Sequence, residues 1–178
     1  ECDACKQGRT ILCTAMRGTV GFSLDGGDAD LLAVPASLLY KVPAEVTWIQ
    51  AALMGDGIGT PYHALKRVGV QRGETIGIFG LGPVGLAAFN LAKFMGARVL
   101  AADINPLRID LARKLGADVV LNPQDADYTE QLSAITDGKG LDRALDTGNV
   151  PATLNLALDA VGGRGTVALV GEKSEATI

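Results

Sequence analysis

The second half of the sequence alternates short apolar runs with longer helix-like stretches, and this pattern limits the fold most narrowly. Strand-length apolar runs lie at 75–79, 98–103, 118–122, 141–146 and 166–170, and helix-length stretches lie between them at 84–95, 106–115, 128–136 and 152–161. When helices cover both faces of a sheet, its strands appear in the sequence as continuous apolar runs. The alternation therefore predicts an α/β protein with a doubly wound parallel sheet, in which the fifth strand is the last one before the sequence stops.

The residues ahead of this alternation predict a smaller and different region. Residues 14–44 carry short apolar runs, which are interrupted by DGGDAD at 25–30 and by Pro35 and Pro43. Short apolar runs that alternate with turn residues are typical of β structure. We therefore expect a small β-rich piece before the sheet domain.

A helical crossover is expected between these two parts. Residues 44–54 look helical, and the glycine-rich GDGIGT at 55–60 would break that helix. Thr60 followed by Pro61 suits the N-cap and first position of a second helix. The predicted domain boundaries are 1–44 for the β-rich piece, 45–72 for the crossover and 73–178 for the sheet domain.

Composition excludes several classes of function. The chain has 178 residues, 48% of them hydrophobic, and a formal net charge of -4 without a Lys/Arg cluster, which argues against holding a nucleic acid backbone. The longest uncharged stretch, 75–92, contains four glycines and a proline, so it predicts a buried strand and turn and no membrane span. No signal peptide pattern is present, and three clustered thiols suit a reducing compartment. A cytoplasmic location is expected.

A glycine-rich turn follows the first predicted strand. Gly80, Gly82 and Gly85 form G-x-G-x-x-G where that strand meets a helix, an arrangement that lets a pyrophosphate approach the backbone and the helix N-terminus. Asp103 ends the next strand, where a carboxylate accepts hydrogen bonds from an adenosine ribose and repels a 2'-phosphate. This pattern predicts a dinucleotide site that favours NAD over NADP. Two alternatives are ordinary turn glycines beside a solvated Asp103, and a methyltransferase, whose loop usually reads G-x-G-x-G.

All three cysteines lie in the first thirteen residues. Cys2, Cys5 and Cys13 are spaced as C-x2-C followed by a third thiol after seven residues. A structural zinc site normally has four ligands, so either the site is not a zinc site or the sequence begins after the first ligand.

Five segments, in their order and separations, resemble the zinc-dependent medium-chain alcohol dehydrogenases. They are ECDACKQGRTILC, DGGDADLLAVP, GDGIGTPYHAL, GIFGLGPVGLAAFNLAKFMGARVLAADINPLR and KLGADVVLN, and together they span essentially the whole chain. The resemblance implies a Rossmann domain that binds NAD, preceded by the end of a catalytic domain with the GroES-like fold. It also implies that the chain is a fragment, with most of the catalytic domain before Glu1 and the sixth strand of the sheet after Ile178.

The resemblance also implies two zinc sites. Four cysteines spaced C-x2-C-x2-C-x7-C hold a structural zinc in that family, and Cys2, Cys5 and Cys13 match the last three. The catalytic zinc has its third protein ligand in the crossover, where Asp56 stands; this position is cysteine in many members and aspartate in some. The alternative for Asp56 is a capping residue in a glycine-rich turn.

The remaining site residues follow from the same resemblance. It places Thr60, Val84 and Val170 around the nicotinamide ring and Arg108 beside Asp103 at the adenosine ribose. The phosphate turn then comprises Gly80, Gly82, Pro83 and Gly85. The alternative is that both valines are core residues and Arg108 is solvated. His63 matches none of the zinc-binding or proton-relay histidines of the family and receives no catalytic role.

The implied activity is the NAD-dependent oxidation of an alcohol or polyol, or the reverse reduction of a carbonyl, with zinc. Many members of the family are homo-oligomers, so a dimer or tetramer is expected. Two alternatives are a zinc-free quinone or enoyl reductase of the same superfamily and a cofactor-binding fragment without activity.

Overall fold

The computed structural model describes residues 2–171, which belong to two compact units, Glu1–Pro43 and Ala44–Ile178. The first unit contains a short helix, α1 (Asp3–Lys6), and two 3-10 turns at Thr10–Leu12 and Ala36–Leu38. Val20 and Leu24 form an isolated bridge. Within residues 2–43 no strand is assigned.

This corrects the prediction of a small β-rich region at 14–44. A strand needs a neighbouring strand to take up its backbone hydrogen bonds, and the described residues of this unit offer one only at the single bridge. Its large apolar side chains are also exposed: Phe22, Leu31 and Tyr40 each keep about nine-tenths of their surface accessible. The short apolar runs therefore form turns and extended chain.

The second unit begins with a continuous helical crossover. Helix α2 (Trp48–Leu53) starts at a capping box between Thr47 and Gln50. A π-helical segment, Met54–Ile58, follows and leads directly into α3 (Gly59–Val68). Two predictions are thereby corrected: the glycine-rich residues do not break the helix, and Thr60 lies inside α3 instead of capping it. A π-helical turn accommodates an extra residue without ending the helix, which explains both differences.

The rest of the unit is a five-stranded parallel sheet with helices between its strands, as predicted. The strands are β1 (Thr75–Phe79), β2 (Arg98–Ala102), β3 (Val119–Leu121), β4 (Leu141–Asp146) and β5 (Val161–Leu169). The helices are α4 (Pro83–Phe94), α5 (Pro106–Lys114), α6 (Tyr128–Ile135) and α7 (Pro151–Ala160). The spatial order β3-β2-β1-β4-β5 is that of a Rossmann-like sheet.

Strand β5 differs most from its predicted start, whereas β3 is one residue shorter than predicted at each end. β5 begins at Val161, which pairs with Leu141, whereas the apolar pattern places the strand start at 166. Between this pair and the pair Arg143–Thr166, the register shifts, so β5 carries extra residues opposite a short piece of β4. These extra residues include the glycines at 162, 163 and 165. Because glycines interrupt the apolar run, the first half of β5 does not show the apolar pattern of a strand.

The core lies on both faces of the sheet, as a doubly wound fold requires. Helices α3, α4 and α5 cover one face, whose buried residues include Leu65, Ile78, Phe89, Val99 and Ala112. Helices α6 and α7 cover the other, whose buried residues include Phe79, Leu100, Tyr128, Leu141 and Ala157. Because all five strands are parallel, their carboxyl ends meet at one edge, which we call the carboxyl edge. None of the described helices has the length and apolarity needed to cross a membrane.

Candidate functional site

Side chains are sterically excluded at the first and the last glycine of the turn between β1 and α4. Gly80 has φ +98°, and a Cβ there would lie 2.7 Å from Gly148 Cα. A Cβ on Gly85 would lie 1.9 Å from the Gly80 carbonyl oxygen, so α4 packs against the turn only with glycine at this position. The predicted roles of these two glycines in turning the chain and packing the helix have a steric basis.

The middle of the same turn is open. A Cβ on Gly82 would meet no atom within 4 Å, so space lies directly above its backbone. Gly82 is the N-cap of α4, no side chain caps the helix, and Pro83 occupies the first turn. The first-turn N–H groups and the positive end of the helix dipole are therefore available to an anionic group such as a phosphate.

Asp103 is buried directly after β2, with 7% of its surface exposed. Its Oδ2 accepts a hydrogen bond of 2.6 Å from the Leu81 N–H, and its Oδ1 accepts one of 2.8 Å from the Asn105 N–H. The Arg108 guanidinium lies 3.5 Å from Oδ2 and remains half exposed. Asp103 therefore links the glycine turn to the start of α5 and lies beside Arg108, where the sequence resemblance places both residues.

A cavity of about 280 Å³ opens at the carboxyl edge between these elements. Its lining includes Gly80 from the glycine turn, Asp103 and Arg108 from the β2 side, and Gly148 and Val150 from the loop after β4. Most of its surface is apolar, with the acidic and basic side chains at one wall. Such a cavity fits a flat, partly apolar group that carries hydroxyl donors at one end.

The loop after β4 contacts the glycine turn, which the sequence analysis did not anticipate. The Thr147 hydroxyl donates a hydrogen bond of 2.6 Å to the Gly80 carbonyl oxygen, and the Thr147 N–H donates one of 2.9 Å to the Phe79 carbonyl oxygen. The only signal in the sequence is DTG at the end of a predicted strand, where a polar stretch meets the carboxyl edge.

A second groove, of about 520 Å³, lies between α3 and β5. Thr60, His63 and Val170 line it together, and the Val170 N–H bonds to the Asp146 carbonyl oxygen. Val84 lies half-buried in the first turn of α4 and is not among the residues that line this groove. The structure thus brings two of the three residues expected around the nicotinamide into one groove.

Asp56 lies in the π-helical segment with an exposed side chain. The Thr60 hydroxyl donates a short hydrogen bond, 2.6 Å, to Asp56 Oδ1. π-helical turns are rare and frequently occur at functional sites. Asp56 and Thr60 therefore form one polar pair on the crossover.

The three thiols of the first unit lie together. The sulfur atoms of Cys2, Cys5 and Cys13 are all within 4.8 Å of one another, and the Cys2–Cys5 sulfur distance is 3.7 Å. A tetrahedral zinc with Zn–S bonds of about 2.3 Å separates its sulfurs by roughly 3.8 Å. The described residues thus place three thiols at a spacing that fits zinc.

The hydrogen bonds around these thiols shift the pKa values of Cys2 and Cys5 in opposite directions. Backbone N–H groups of Cys5 and Thr14 lower the pKa of the Cys2 thiol to about 6. Hydrogen bonds with the Cys13 and Cys2 sulfurs raise the pKa of the Cys5 thiol to about 11. The lowered pKa of Cys2 favours the thiolate, which is the form that ligates a metal.

Comparison with known proteins connects this fold to one family. A family model described as zinc-binding dehydrogenase matches residues 83–178. Sorbitol dehydrogenase of Bacillus subtilis (strain 168) is 35% identical over 176 residues, which are 98% of this chain and 50% of that protein. The structure of alcohol dehydrogenase TADH from Thermus sp. ATN1 has a TM-score of 0.89 at 31% identity, covering 99% of this chain and 53% of that one.

A further solved structure bears on the cofactor. A protein from Sinorhizobium meliloti 1021, solved bound to NADP, has a TM-score of 0.87 at 25% identity and covers 100% of this chain and 53% of that one. A nicotinamide dinucleotide is thus bound by a protein of this fold.

The fold defines an α/β protein with a Rossmann-like sheet, as predicted. The chain belongs to the zinc-binding dehydrogenase family, which confirms the resemblance drawn from its sequence. It spans about half the length of the curated relative and of the solved structures described above.

Proposed function

We propose that this chain provides the NAD site, and one ligand of the catalytic zinc, in a dehydrogenase that acts on an alcohol or polyol. The observation that carries the proposal is the buried Asp103 carboxylate, which lines the cavity at the carboxyl edge and is hydrogen-bonded to the glycine turn. The sorbitol and alcohol dehydrogenases similar to this chain support the substrate class.

The residues of the cavity fit the adenosine half of NAD. Asp103 would accept hydrogen bonds from the ribose hydroxyls, and its charge would oppose a 2'-phosphate. Arg108 partly neutralises that charge at 3.5 Å and would pack beside the ribose. The open backbone at Gly82 and the uncapped start of α4 would hold the pyrophosphate. NAD, when bound, supplies the acceptor for the substrate hydride.

The Asp56–Thr60 pair fits the edge of a catalytic metal site. Thr60 engages Oδ1 of Asp56, so we assign the other carboxylate oxygen, Oδ2, to the metal. A fixed hydrogen bond to one oxygen orients a carboxylate ligand and limits its rotation. A zinc ion held there would supply a Lewis acid for the substrate oxygen. We assign Val170 and Thr60, which share a groove, to the nicotinamide end of the cofactor, and Val84 to the same end through its place in the first turn of α4.

We assign the three thiols to a structural zinc, which would hold the first unit in a fixed conformation. We further propose that the intact protein is a homo-oligomer, a dimer or tetramer, as the sequence resemblance implies.

Turnover of the intact protein tests the proposed function. We expect NAD reduction with sorbitol or a simple secondary alcohol, and loss of that reduction after zinc chelation, with recovery on adding zinc. Reduction of a quinone or enone that is insensitive to chelation would identify a zinc-free reductase instead. Nucleotide binding without any turnover would identify a cofactor-binding protein without activity.

A further inference from the structure

A buried acid at the end of β4 has no role in the function proposed above. Asp146 is fully buried, and its Oδ1 accepts hydrogen bonds from the Gly148 N–H at 3.1 Å and from the Thr153 hydroxyl at 2.7 Å. Thr153 lies in the first turn of α7, whose dipole favours a negative charge at this end. A buried carboxylate is costly unless its partners are fixed, so this arrangement constrains both the loop and the helix that donate to it.

The constraint passes from Thr153 to the cofactor turn through direct contacts. A Cβ on Gly148 would lie 2.4 Å from the Thr153 methyl carbon, so the loop backbone rests against this side chain. A Cβ on Gly80 would lie 2.7 Å from Gly148 Cα, so the glycine turn rests in the same way against the loop. Thr147 adds a hydrogen bond from the loop to the Gly80 carbonyl oxygen. Gly148 therefore contacts both Thr153 and Gly80, so a displacement of Thr153 would be transmitted through Gly148 to the glycine turn.

The same residues form one wall of the cavity at the carboxyl edge. Gly80 lines it at the end of β1, Gly148 and Thr153 line it from the loop after β4 and from α7, and Asp103 lines it at the end of β2. The width of the cavity thus depends on how far the Gly148 loop stands from β2, and the Asp146 carboxylate fixes the base of that loop.

We propose that Asp146 and Thr153 are a positioning pair for the adenine nucleotide half of the cofactor. They hold the Gly148 loop and the Gly80 turn at the separation that the adenosine moiety requires, although neither side chain needs to be a catalytic residue. The proposal rests on the assignment of this cavity to NAD and adds two residues that determine its shape.

Two substitutions of Thr153 separate its hydrogen bond from its packing. Thr153→Val keeps the branched shape and removes the hydroxyl, which lies within hydrogen-bond distance of both Asp146 Oδ1 and, at 2.9 Å, the Val150 carbonyl oxygen. Thr153→Ser keeps the hydroxyl and removes the methyl group. Thr153 is preferred to Asp146 because replacing a fully buried acid can unfold the domain. Thr136→Val is the matched control, because its half-buried hydroxyl donates to the Leu132 carbonyl oxygen, at 2.9 Å, and lines no part of the cavity.

The measurements are the dissociation constants of NAD and of ADP-ribose by calorimetry, together with the thermal midpoint of each variant. We expect Thr153→Val to weaken both ligands about tenfold, Thr153→Ser to weaken them by no more than about threefold because it keeps the bond to Asp146 and loses only the methyl contact with Gly148, and Thr136→Val to bind normally despite a similar loss of thermal stability. Rescue by Ser identifies the hydroxyl, and a general loss of stability would move the control as well.

Two results would overturn the proposal, and they have different meanings. Equal affinity in Thr153→Val and the unchanged protein would show that the pair has only a structural role, while the NAD site would stand. If the unchanged protein binds neither NAD nor ADP-ribose, the assignment of the cavity fails, and the positioning role fails with it.

Discussion

Replacing Asp103 with Ser should change which cofactor the protein prefers. The carboxylate provides acceptors for the Leu81 and Asn105 N–H groups and carries the charge that faces Arg108. Serine is shorter and has one uncharged side-chain oxygen. It therefore cannot accept hydrogen bonds from both N–H groups and from a ribose, and it does not repel a phosphate. The substitution therefore removes both the attraction for NAD and the discrimination against NADP.

The size of the expected change in the NAD/NADP affinity ratio can be estimated from the structure. Loss of a charged acceptor for the ribose should cost about 1–3 kcal/mol, which weakens NAD roughly 5- to 150-fold. Two unit charges about 5 Å apart repel by about 3 kcal/mol at an effective dielectric constant of about 20, and Arg108 offsets part of the repulsion that Asp103 exerts on a 2'-phosphate. If about 1 kcal/mol is lost with the ribose acceptor and about 1 kcal/mol of repulsion remains after the offset by Arg108, the two effects add to about 2 kcal/mol, and the NAD/NADP affinity ratio should fall about thirtyfold.

Calorimetric titration of both cofactors into Asp103→Ser and the unchanged protein checks this prediction. Asp110→Ser provides the matched control, because Asp110 pairs with Arg113 at 3.2 Å on the same helix but both side chains are exposed. An exposed pair contributes little, so the control should keep the original ratio. An unchanged ratio in Asp103→Ser would refute the assignment of the ribose to this carboxylate.

Three other predictions concern separate parts of the chain. In the intact protein Asp56→Ala should abolish or severely reduce turnover and leave NAD affinity nearly unchanged; full activity would make Asp56 a turn residue. Zinc held by the three thiols should be lost to mild chelation, and Cys13→Ser should abolish its binding; tight stoichiometric zinc in that variant would contradict the ligand set. Tyr128→Phe should stabilise the fold by about 1 kcal/mol in urea unfolding, because the buried Tyr128 hydroxyl has no hydrogen-bond partner among the described residues; a clear loss would show a missed partner.

Tyr128 also gives the stability prediction a pH dependence. Burial, with a smaller effect of Asp159, raises the pKa of the Tyr128 phenol from 10.0 to about 12. The folded state therefore holds the proton more tightly than the unfolded state, and this contribution to stability is present below pH 10 and lost as the pH rises towards 12. The stability advantage of Tyr128→Phe should accordingly be larger in this alkaline range than at neutral pH.

The sheet could be predicted closely because its signals are local. β1 and β4 have the predicted bounds, since a buried parallel strand must be apolar on both faces and its ends are marked by polar residues and glycine. The turn at Gly80 and the acid at Asp103 were also predictable, because each follows directly from its position at a strand end.

The differences arise where distant residues decide the local structure. β5 begins at Val161 because Leu141 pairs with it, a contact across twenty residues that no apolar pattern shows. Residues 55–60 remain helical because a π-helical turn absorbs their irregularity, whereas their glycines alone predict a break. The role of Asp146 is equally non-local, because it depends on Thr153 and on the contact between Gly148 and Gly80.

A crystal structure of the intact protein with NAD tests the central claim most directly. We expect the adenosine ribose hydroxyls within hydrogen-bond distance of Asp103, the pyrophosphate over Gly82 at the start of α4, and the adenine between β2 and the Gly148 loop. NAD bound elsewhere, or bound in the cavity with its ribose directed away from Asp103, would contradict the account.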